Sequence, residues 1–291
     1  MNKQELASLI WDYCNDLRGS ISTVEYKDII LGFIFYRFLS EKEITYLKKQ
    51  RWTELDIQEG LTDYDQATVS DCKEYLGYFI AYNDLFSTWK KTANYDIVLI
   101  SEALNRFKNN IDEDFQNIYS GPNPNEDYIF KSLSDKLQRL RSGKEPKDHI
   151  KKIFNIVSRI PMDDKQDYDV LGFIYEYLLA NFASGAGKKD GEFYTPHEIS
   201  FLMSEIVAHH LKDRELITIF DPTSGSGSLL INIGKSVQKY LKLKDSILYY
   251  AQEKNYDAYN LTRMNLIMRG VNPINIKVRV ADTLENDWPY R

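Results

Sequence analysis

Apolar residues recur at helical spacing through the first half of the chain. From Gln4 to about Ile160 they lie mostly three or four residues apart, as in the series Leu6, Ile10, Tyr13 and Leu17. Segments rich in glycine, proline and asparagine interrupt this pattern at 121–127 and 141–148, where turns are expected. The pattern predicts an all-helical domain, which we place at residues 1–165.

The spacing of apolar residues changes in the second half. A helix is predicted around 171–182, followed by a glycine-rich loop that contains Lys188 and Lys189. Beyond that loop, helical and strand-like patterns alternate: helix 197–211, strand 217–220, helix 226–242, strand 247–252, helix 255–269 and strand 276–281. This alternation is typical of an α/β domain with a parallel sheet, which we place at residues 166–291.

An acidic residue closes each of the three predicted strands. Asp221 follows "ITIF", Glu253 ends "ILYYAQE" and Asp282 follows "IKVRVA". Consecutive parallel strands joined by right-handed crossovers bring their carboxyl ends to one edge of the sheet, where ligands of such sheets bind. We therefore expect these three carboxylates to surround one ligand. Each acid alone could instead cap a turn or begin a helix.

The segment "DPTSGSGS" joins the first predicted strand to the next helix. Gly225 and Gly227 can adopt positive φ, and the helix that follows offers unpaired N–H groups to an anion. A nicotinamide dinucleotide fingerprint would need a third glycine where Leu230 stands, and Asp221 would repel a pyrophosphate. The turn instead suits a ligand that carries an amino group beside a carboxylate, together with a sugar and a base.

A phosphate-binding loop is also excluded in the lysine-bearing segment. That motif requires glycine at 182 and serine or threonine at 189, where the chain has Phe182 and Lys189.

The composition limits the class of protein and its location in the cell. The 291 residues are 43% hydrophobic and 13% aromatic, which fits two globular domains. Cys14 and Cys72 lie far apart, which predicts plain thiols in a reducing compartment and neither a metal site nor a disulfide. The longest apolar run, 29–40, is too short to cross a bilayer, so we expect a cytoplasmic protein. A net charge of -6 gives no general basic footprint for nucleic acid.

Together these segments resemble the adenine-specific DNA methyltransferase subunits, or modification (M) subunits, of type I restriction-modification systems. "GEFYTP" is similar to the family's G-x-[YF]-[YF]-T-P segment, "DPTSGSG" to its D-P-x-x-G-[ST]-G loop, and "NLTRMNLIMRG" to its N-L-x-x-x-G segment. The early stretch "LIWDYCNDLRGSISTVEYKDIILGFIFYRFLSEKE" resembles the helical amino-terminal domain of these subunits. The resemblance implies a Rossmann-like methyltransferase domain that binds S-adenosyl-L-methionine.

The resemblance also assigns roles to individual residues. Asp221 and the loop would hold the methionine end, Glu253 would accept both ribose hydroxyls, and Asp282 would accept from the adenine amino group. The implied cofactor-binding residues are Glu192, Phe193, Tyr194, Thr195, Pro196, His197, Asp221, Gly225, Ser226, Gly227, Ser228, Glu253 and Asp282. The implied partners are DNA with an adenine target, a specificity subunit and a restriction subunit, and no membrane.

The chain departs from the family in its catalytic motif. The catalytic [ND]-P-P-[YF] motif, which engages a flipped adenine, is absent from the chain, and "NDWPYR" has Trp288 where the first proline belongs. We therefore expect an incomplete methyltransferase domain, name no catalytic residue, and expect the chain to be inactive alone. A non-catalytic cofactor-binding assembly module remains the alternative, and a methyltransferase for small molecules or RNA is a weaker one.

Overall fold

The chain folds into two compact units. In this computed structural model the first unit comprises Met1–Ser120 with Phe130–Gly185, and the second comprises Gly121–Ile129 with Ala186–Arg291. The structure describes residues 2–16, 23–93, 96–123, 127–141, 146–162, 173–174, 177, 195, 197–211, 214–240, 247–286 and 288–289. The predicted domain boundary at 165/166 falls outside these residues and stays a prediction.

The described part of the first unit is helical, as predicted. Its α-helices are α1 (Lys3–Asp16), α2 (Thr23–Lys49), α3 (Glu54–Gly60), α4 (Gln66–Leu76), α5 (Phe86–Lys91), α6 (Ile97–Asn109), α7 (Gln116–Tyr119), α8 (Lys131–Arg141) and α9 (Pro146–Arg159). Of the helix predicted around 171–182, Phe173, Ile174 and Tyr177 are described and are helical, and the glycine-rich loop lies outside the described residues.

Helix α2 forms the centre of the first unit because its middle section is apolar on every side. It packs against α5, α8 and α9. Aromatic rings join these helices: Tyr36 stacks on Trp89 at 5.0 Å between centroids, Phe86 stacks on Phe154 at 4.6 Å, and Phe33 meets Phe154 edge-on at 5.1 Å. Such ring pairs add to the stabilisation from burial alone.

Two buried acidic side chains of this unit have hydrogen-bond partners inside it. Both oxygens of Glu43, a residue with no exposed surface, accept from the Ile80 N–H at 3.1 and 3.0 Å. Arg106 donates to both oxygens of the buried Asp84 at 2.7 and 2.8 Å. These bonds tie α2 and α6 to the connecting segment 77–85, which satisfies the requirement that buried polar groups find partners.

The second unit alternates helices and strands, as predicted. It contains α10 (His197–Leu211), β1 (Ile217–Asp221), α11 (Ser228–Gln238), β2 (Ile247–Glu253), α12 (Tyr256–Met268) and β3 (Ile276–Val280). The strands form a parallel sheet in the order β1-β2-β3, with Asp221 beside Ala251 and Glu253 beside Val280. Helix α11 begins at residue 228 and not at the predicted 226, because Gly227, at φ 79°, forms its N-cap.

One face of the sheet is covered by α11 and α12. This face buries Ile219 and Tyr249, and Gly234 of α11 lies so near the Tyr249 hydroxyl that a β-carbon there would clash with it. On the other face, the Trp288 ring lies 5.9 Å from Phe220 and 5.4 Å from Tyr250. Among the helices of the described residues, none combines the length and the apolar content needed to cross a membrane.

Candidate cofactor-binding site

Asp221 ends β1 and is nearly enclosed. The residue is 7% exposed, and its Oδ1 accepts from the Thr223 N–H at 3.0 Å. Burial raises the pKa of the Asp221 carboxyl above its ordinary value, and the nearby charge of Glu253 raises it further, against the effect of the Thr223 bond. In the sheet register Asp221 lies beside Ala251, two residues before Glu253, so the two acids occupy the ends of adjacent strands.

The loop after Asp221 needs its glycines. Gly225 has φ 53° and Gly227 has φ 79°, a region that other residues adopt only with strain. The Gly227 N–H donates to the Ser224 carbonyl at 2.7 Å, which closes a tight turn before α11. Gly227 provides no side-chain cap, so the first N–H groups of α11 remain available to an anion.

Glu253 ends β2 and is held in one orientation by backbone donors. Its Oε2 accepts from the Gly225 N–H at 2.8 Å, and its Oε1 accepts from the Asn255 N–H at 2.9 Å. Each carboxylate oxygen can accept more than one hydrogen bond, so both keep capacity for a ligand. The carboxylate is thus fixed beside the glycine loop and still able to receive two hydroxyl donors.

Asp282 lies two residues beyond the end of β3. Its Oδ2 accepts from Lys254 Nζ at 2.7 Å and its Oδ1 from the Leu284 N–H at 3.0 Å. Hydrogen bonding from Lys254 holds the pKa of the Asp282 carboxyl below its ordinary value. The next residue, Thr283, donates its hydroxyl to the Pro222 carbonyl. The turn that follows β3 is therefore attached to the glycine loop.

The structure describes nine of the thirteen predicted site residues. Asp221, Gly225, Ser226, Gly227, Ser228, Glu253 and Asp282 lie at the carboxyl edge of the sheet, and His197 begins α10. Thr195 is half-buried and precedes α10. Glu192, Phe193, Tyr194 and Pro196 lie outside the described residues, so their predicted contribution stays a prediction.

Sequence reasoning missed the residues beneath the loop. Thr262 and Asn265 of α12 are buried and bond to loop atoms, and Gln252 accepts the Ser224 N–H on its carbonyl at 3.1 Å. The signal available in the sequence is a set of polar residues within a helix that is otherwise apolar. Buried polar residues in such a helix need partners, and here the loop backbone supplies them.

Two family models match the chain, one for each half. The HsdM N-terminal domain matches residues 6–159, and the N-6 DNA Methylase domain matches residues 166–290.

Similar proteins match along nearly the whole chain. The chain is 30% identical to the type I restriction enzyme MpnII methylase subunit of Mycoplasma pneumoniae, over 96% of this chain and 53% of that protein. It is 26% identical to the MjaIX methylase subunit of Methanocaldococcus jannaschii, over 97% of this chain and 48% of that protein. The chain thus spans about half the length of the curated relatives it matches.

Solved structures agree with the fold. A type I restriction-modification methyltransferase subunit from Streptococcus thermophilus superposes with a TM-score of 0.72 at 25% identity, covering 100% of this chain and 61% of that one. A modification subunit of a putative type I restriction enzyme from Vibrio vulnificus shares the fold, with a TM-score of 0.56, 16% identity, and coverage of 97% and 56%.

A helical domain joined to an N-6 DNA methylase domain defines a class of DNA modification proteins. Within that class, the chain belongs to the family of type I restriction-modification methylase subunits and corresponds to their amino-terminal part. The family resemblance predicted from the sequence motifs is confirmed.

Proposed function

We propose that the protein binds S-adenosyl-L-methionine as part of a modification subunit that methylates adenine N6 in DNA. The observation that carries this proposal is the Glu253 carboxylate, which the Gly225 and Asn255 N–H groups hold at the edge of the sheet beside a positive-φ glycine loop.

The donors and acceptors at this edge fit the parts of that cofactor. In the proposed arrangement Glu253 accepts the two ribose hydroxyls and Asp282 accepts the adenine amino group. The Ser226 and Ser228 N–H groups receive the methionine carboxylate, and Asp221 receives the ammonium. A β-carbon at Gly225 would have no described atom within 4 Å, which fits close approach of a ligand to the backbone. When bound, the cofactor supplies an electrophilic methyl group.

Methyl transfer to adenine needs groups that residues 1–291 do not include. The chain has no [ND]-P-P-[YF] segment, the family element that accepts hydrogen bonds from the target amino group and stacks on the flipped base. We infer that these 291 residues bind the cofactor and do not methylate DNA unaided. DNA, a specificity subunit and a restriction subunit are the proposed partners, and a net charge of -6 fits a subunit whose partners supply DNA contacts.

Isothermal titration with S-adenosyl-L-methionine tests the cofactor site. Asp221→Ala and Glu253→Ala should each weaken binding more than about tenfold, since each removes a charged acceptor from the ligand. Glu215→Ala is the matched control, because Glu215 is an exposed acid just before the opposite end of β1. Unchanged affinity in both site variants would remove these carboxylates from the site.

The absence of the [ND]-P-P-[YF] segment also favours a second candidate, a non-catalytic module that binds the cofactor and assembles with the other subunits. A methyl-transfer assay on DNA with a specificity subunit, with and without a polypeptide that carries the [ND]-P-P-[YF] segment, separates the two. Methylation that depends on that polypeptide supports the enzyme, and cofactor binding without methylation in either arm supports the module. Methylation by the 291-residue chain alone would contradict the inferred need for the missing motif.

A further inference from the structure

The glycine loop rests on two polar side chains of α12. Thr262 has no exposed surface and Asn265 is 2% exposed. They are three residues apart, so both project from the same side of the helix. None of the proposed cofactor contacts involves them, yet both point their hydrogen-bond donors at the loop backbone.

Thr262 forms a short relay with the loop. Its hydroxyl donates to the Gly225 carbonyl at 2.9 Å, and its Oγ1 lies 2.9 Å from Ser224 Oγ. A threonine hydroxyl has one proton, which the Gly225 bond uses. Ser224 must therefore be the donor in the second bond, and the order runs from the Ser224 hydroxyl to Thr262 and on to the Gly225 carbonyl.

Asn265 holds the next peptide group. Its Nδ2 donates to the Ser226 carbonyl at 2.7 Å. The reversed amide would set Oδ1 against that carbonyl, oxygen to oxygen, so the hydrogen-bond network fixes this orientation. The Ser224 carbonyl accepts from the Gly227 N–H. Three successive loop carbonyls, at 224, 225 and 226, are thereby held by protein donors.

Fixing the carbonyls also fixes the N–H groups. In a planar trans peptide the C=O of one residue and the N–H of the next point in opposite directions. Since the Gly225 carbonyl faces Thr262, the Ser226 N–H points away from α12. Ser226 is one of the residues proposed to contact the methionine end of the cofactor.

We propose that Thr262 and Asn265 are positioning residues, which aim the Ser226 N–H at the cofactor by holding the peptide groups on both sides of Ser226. The inference rests on the proposed cofactor site. It adds residues that bind no ligand atom and that control affinity through the orientation of the loop.

Thr262 also packs against the loop, and that contact must be separated from its hydrogen bond. Its Cγ2 lies 3.3 Å from where a β-carbon on Gly227 would stand. Thr262→Val keeps the shape and removes the hydroxyl, whereas Thr262→Ser keeps the hydroxyl and removes the methyl group. A positioning role through the hydroxyl predicts that the serine variant keeps its affinity and the valine variant loses it.

Titration of the 291-residue chain with S-adenosyl-L-methionine is the first measurement. Thr262→Val and Asn265→Leu should each weaken binding about tenfold, while Thr262→Ser should stay within about threefold of the wild type. Circular dichroism checks that each variant is folded at the temperature of titration. If Thr262→Val does not fold, Asn265→Leu carries the test.

Hydrogen exchange in the ligand-free protein is the second measurement. The Gly225 and Gly227 amides should exchange faster in Thr262→Val than in the wild type and Thr262→Ser, because both are hydrogen-bonded only while the loop keeps its shape. This readout needs no ligand. If the wild type does not bind the cofactor, the proposed function fails while the exchange data still test the loop.

Two results would overturn the inference. One is wild-type affinity and wild-type exchange in both Thr262→Val and Asn265→Leu. The other is an equal loss of affinity in Thr262→Ser and Thr262→Val, which would assign the effect to packing of the methyl group.

Discussion

The two units hold acidic side chains in different ways. In the helical unit, Glu43 has no exposed surface, and both its oxygens accept from the single N–H of Ile80. In the α/β unit, Glu253 is half-buried, and each oxygen accepts from a different N–H group at the edge of the sheet. The first arrangement joins two segments of the core. The second orients the carboxylate that we propose accepts the ribose hydroxyls of the cofactor.

This difference gives a criterion for separating acids that stabilise the core from acids proposed to bind the cofactor. Burial raises the pKa of both Glu43 and Asp221, so a raised pKa alone does not identify a site. The distinguishing features are position at a strand end, bonding to a glycine loop, and proximity of a second acid. Substitution of each acid tests whether core acids affect stability and strand-end acids affect ligand affinity.

The largest effect on stability is expected for Glu43→Ala. It leaves the Ile80 N–H unpaired in the core and opens a cavity, and together these should lower the free energy of unfolding by about 3 kcal/mol. Glu41→Ala on the same helix is the control: Glu41 is half exposed and paired with Arg37 at 2.6 Å, so about 0.5 kcal/mol is expected. Urea denaturation followed by circular dichroism measures both.

The loss of stability in Glu43→Ala should not be accompanied by a loss of cofactor affinity. Folded Glu43→Ala protein is expected to bind S-adenosyl-L-methionine as the wild type does, since Glu43 belongs to the helical unit and bonds there to Ile80. A destabilisation by Glu253→Ala as large as that of Glu43→Ala would break the distinction between the two acids, because it would make the strand-end acid a structural group as well.

Glu43 also predicts a pH dependence of stability. Desolvation holds the pKa of the Glu43 carboxyl well above its ordinary value, so the folded state keeps a proton that the unfolded state loses. Stability therefore falls as pH rises from the ordinary pKa of glutamate to the raised pKa of the folded state. Glu43→Gln should remove this slope in urea titrations at a series of pH values, and a slope that persists would assign it to another group.

The two loop glycines should differ in what their replacement affects. Alanine at either position is strained by positive φ, which costs about 1 kcal/mol in each case. A methyl group at Gly227 would also press on Thr262, whereas at Gly225 it would enter the space proposed for the ligand.

Gly227→Ala should therefore lower the stability of the protein more than Gly225→Ala does. Gly225→Ala should lower the affinity for the cofactor more, by about tenfold relative to the wild type. Thermal unfolding and titration with S-adenosyl-L-methionine measure the two quantities in the same samples. The opposite ranking would place the ligand elsewhere than beside Gly225.

Much of the α/β unit could be predicted from sequence because its signals are local. Alternating apolar patterns predicted β1, β2 and β3 to within one residue at each end. Asp221 and Glu253 end their strands, and Asp282 lies two residues beyond β3. A parallel order follows from the intervening helices. These features depend on residues that are close in sequence, so they can be predicted from one sequence.

The support beneath the loop could not be predicted in the same way. Helix α12 is buried on nearly all sides, with Leu261 and Leu266 as enclosed as Thr262 and Asn265. Its periodicity therefore does not show which side faces the glycine loop. That rotation is set by packing between α12, β2 and β3, so the partners of Thr262 and Asn265 emerge only in three dimensions.

The smallest effect is expected for Lys254→Ala. Lys254 Nζ lies 2.7 Å from Asp282, but the lysine side chain is 77% exposed, so solvent screens the pair and stability should hardly change. The pKa of Asp282 should rise toward its ordinary value, because hydrogen bonding to Lys254 is the main cause of its lowering. Carboxyl-detected NMR titration measures that shift.

Asp282 remains ionised at neutral pH with or without this lysine, so affinity for S-adenosyl-L-methionine should change less than about twofold in Lys254→Ala. Asp282→Asn is the matched variant, since it removes the acceptor charge and should weaken binding more than Lys254→Ala does. A loss in Lys254→Ala equal to that in Glu253→Ala would make the lysine, and not the aspartate, the group at this strand end that contacts the ligand.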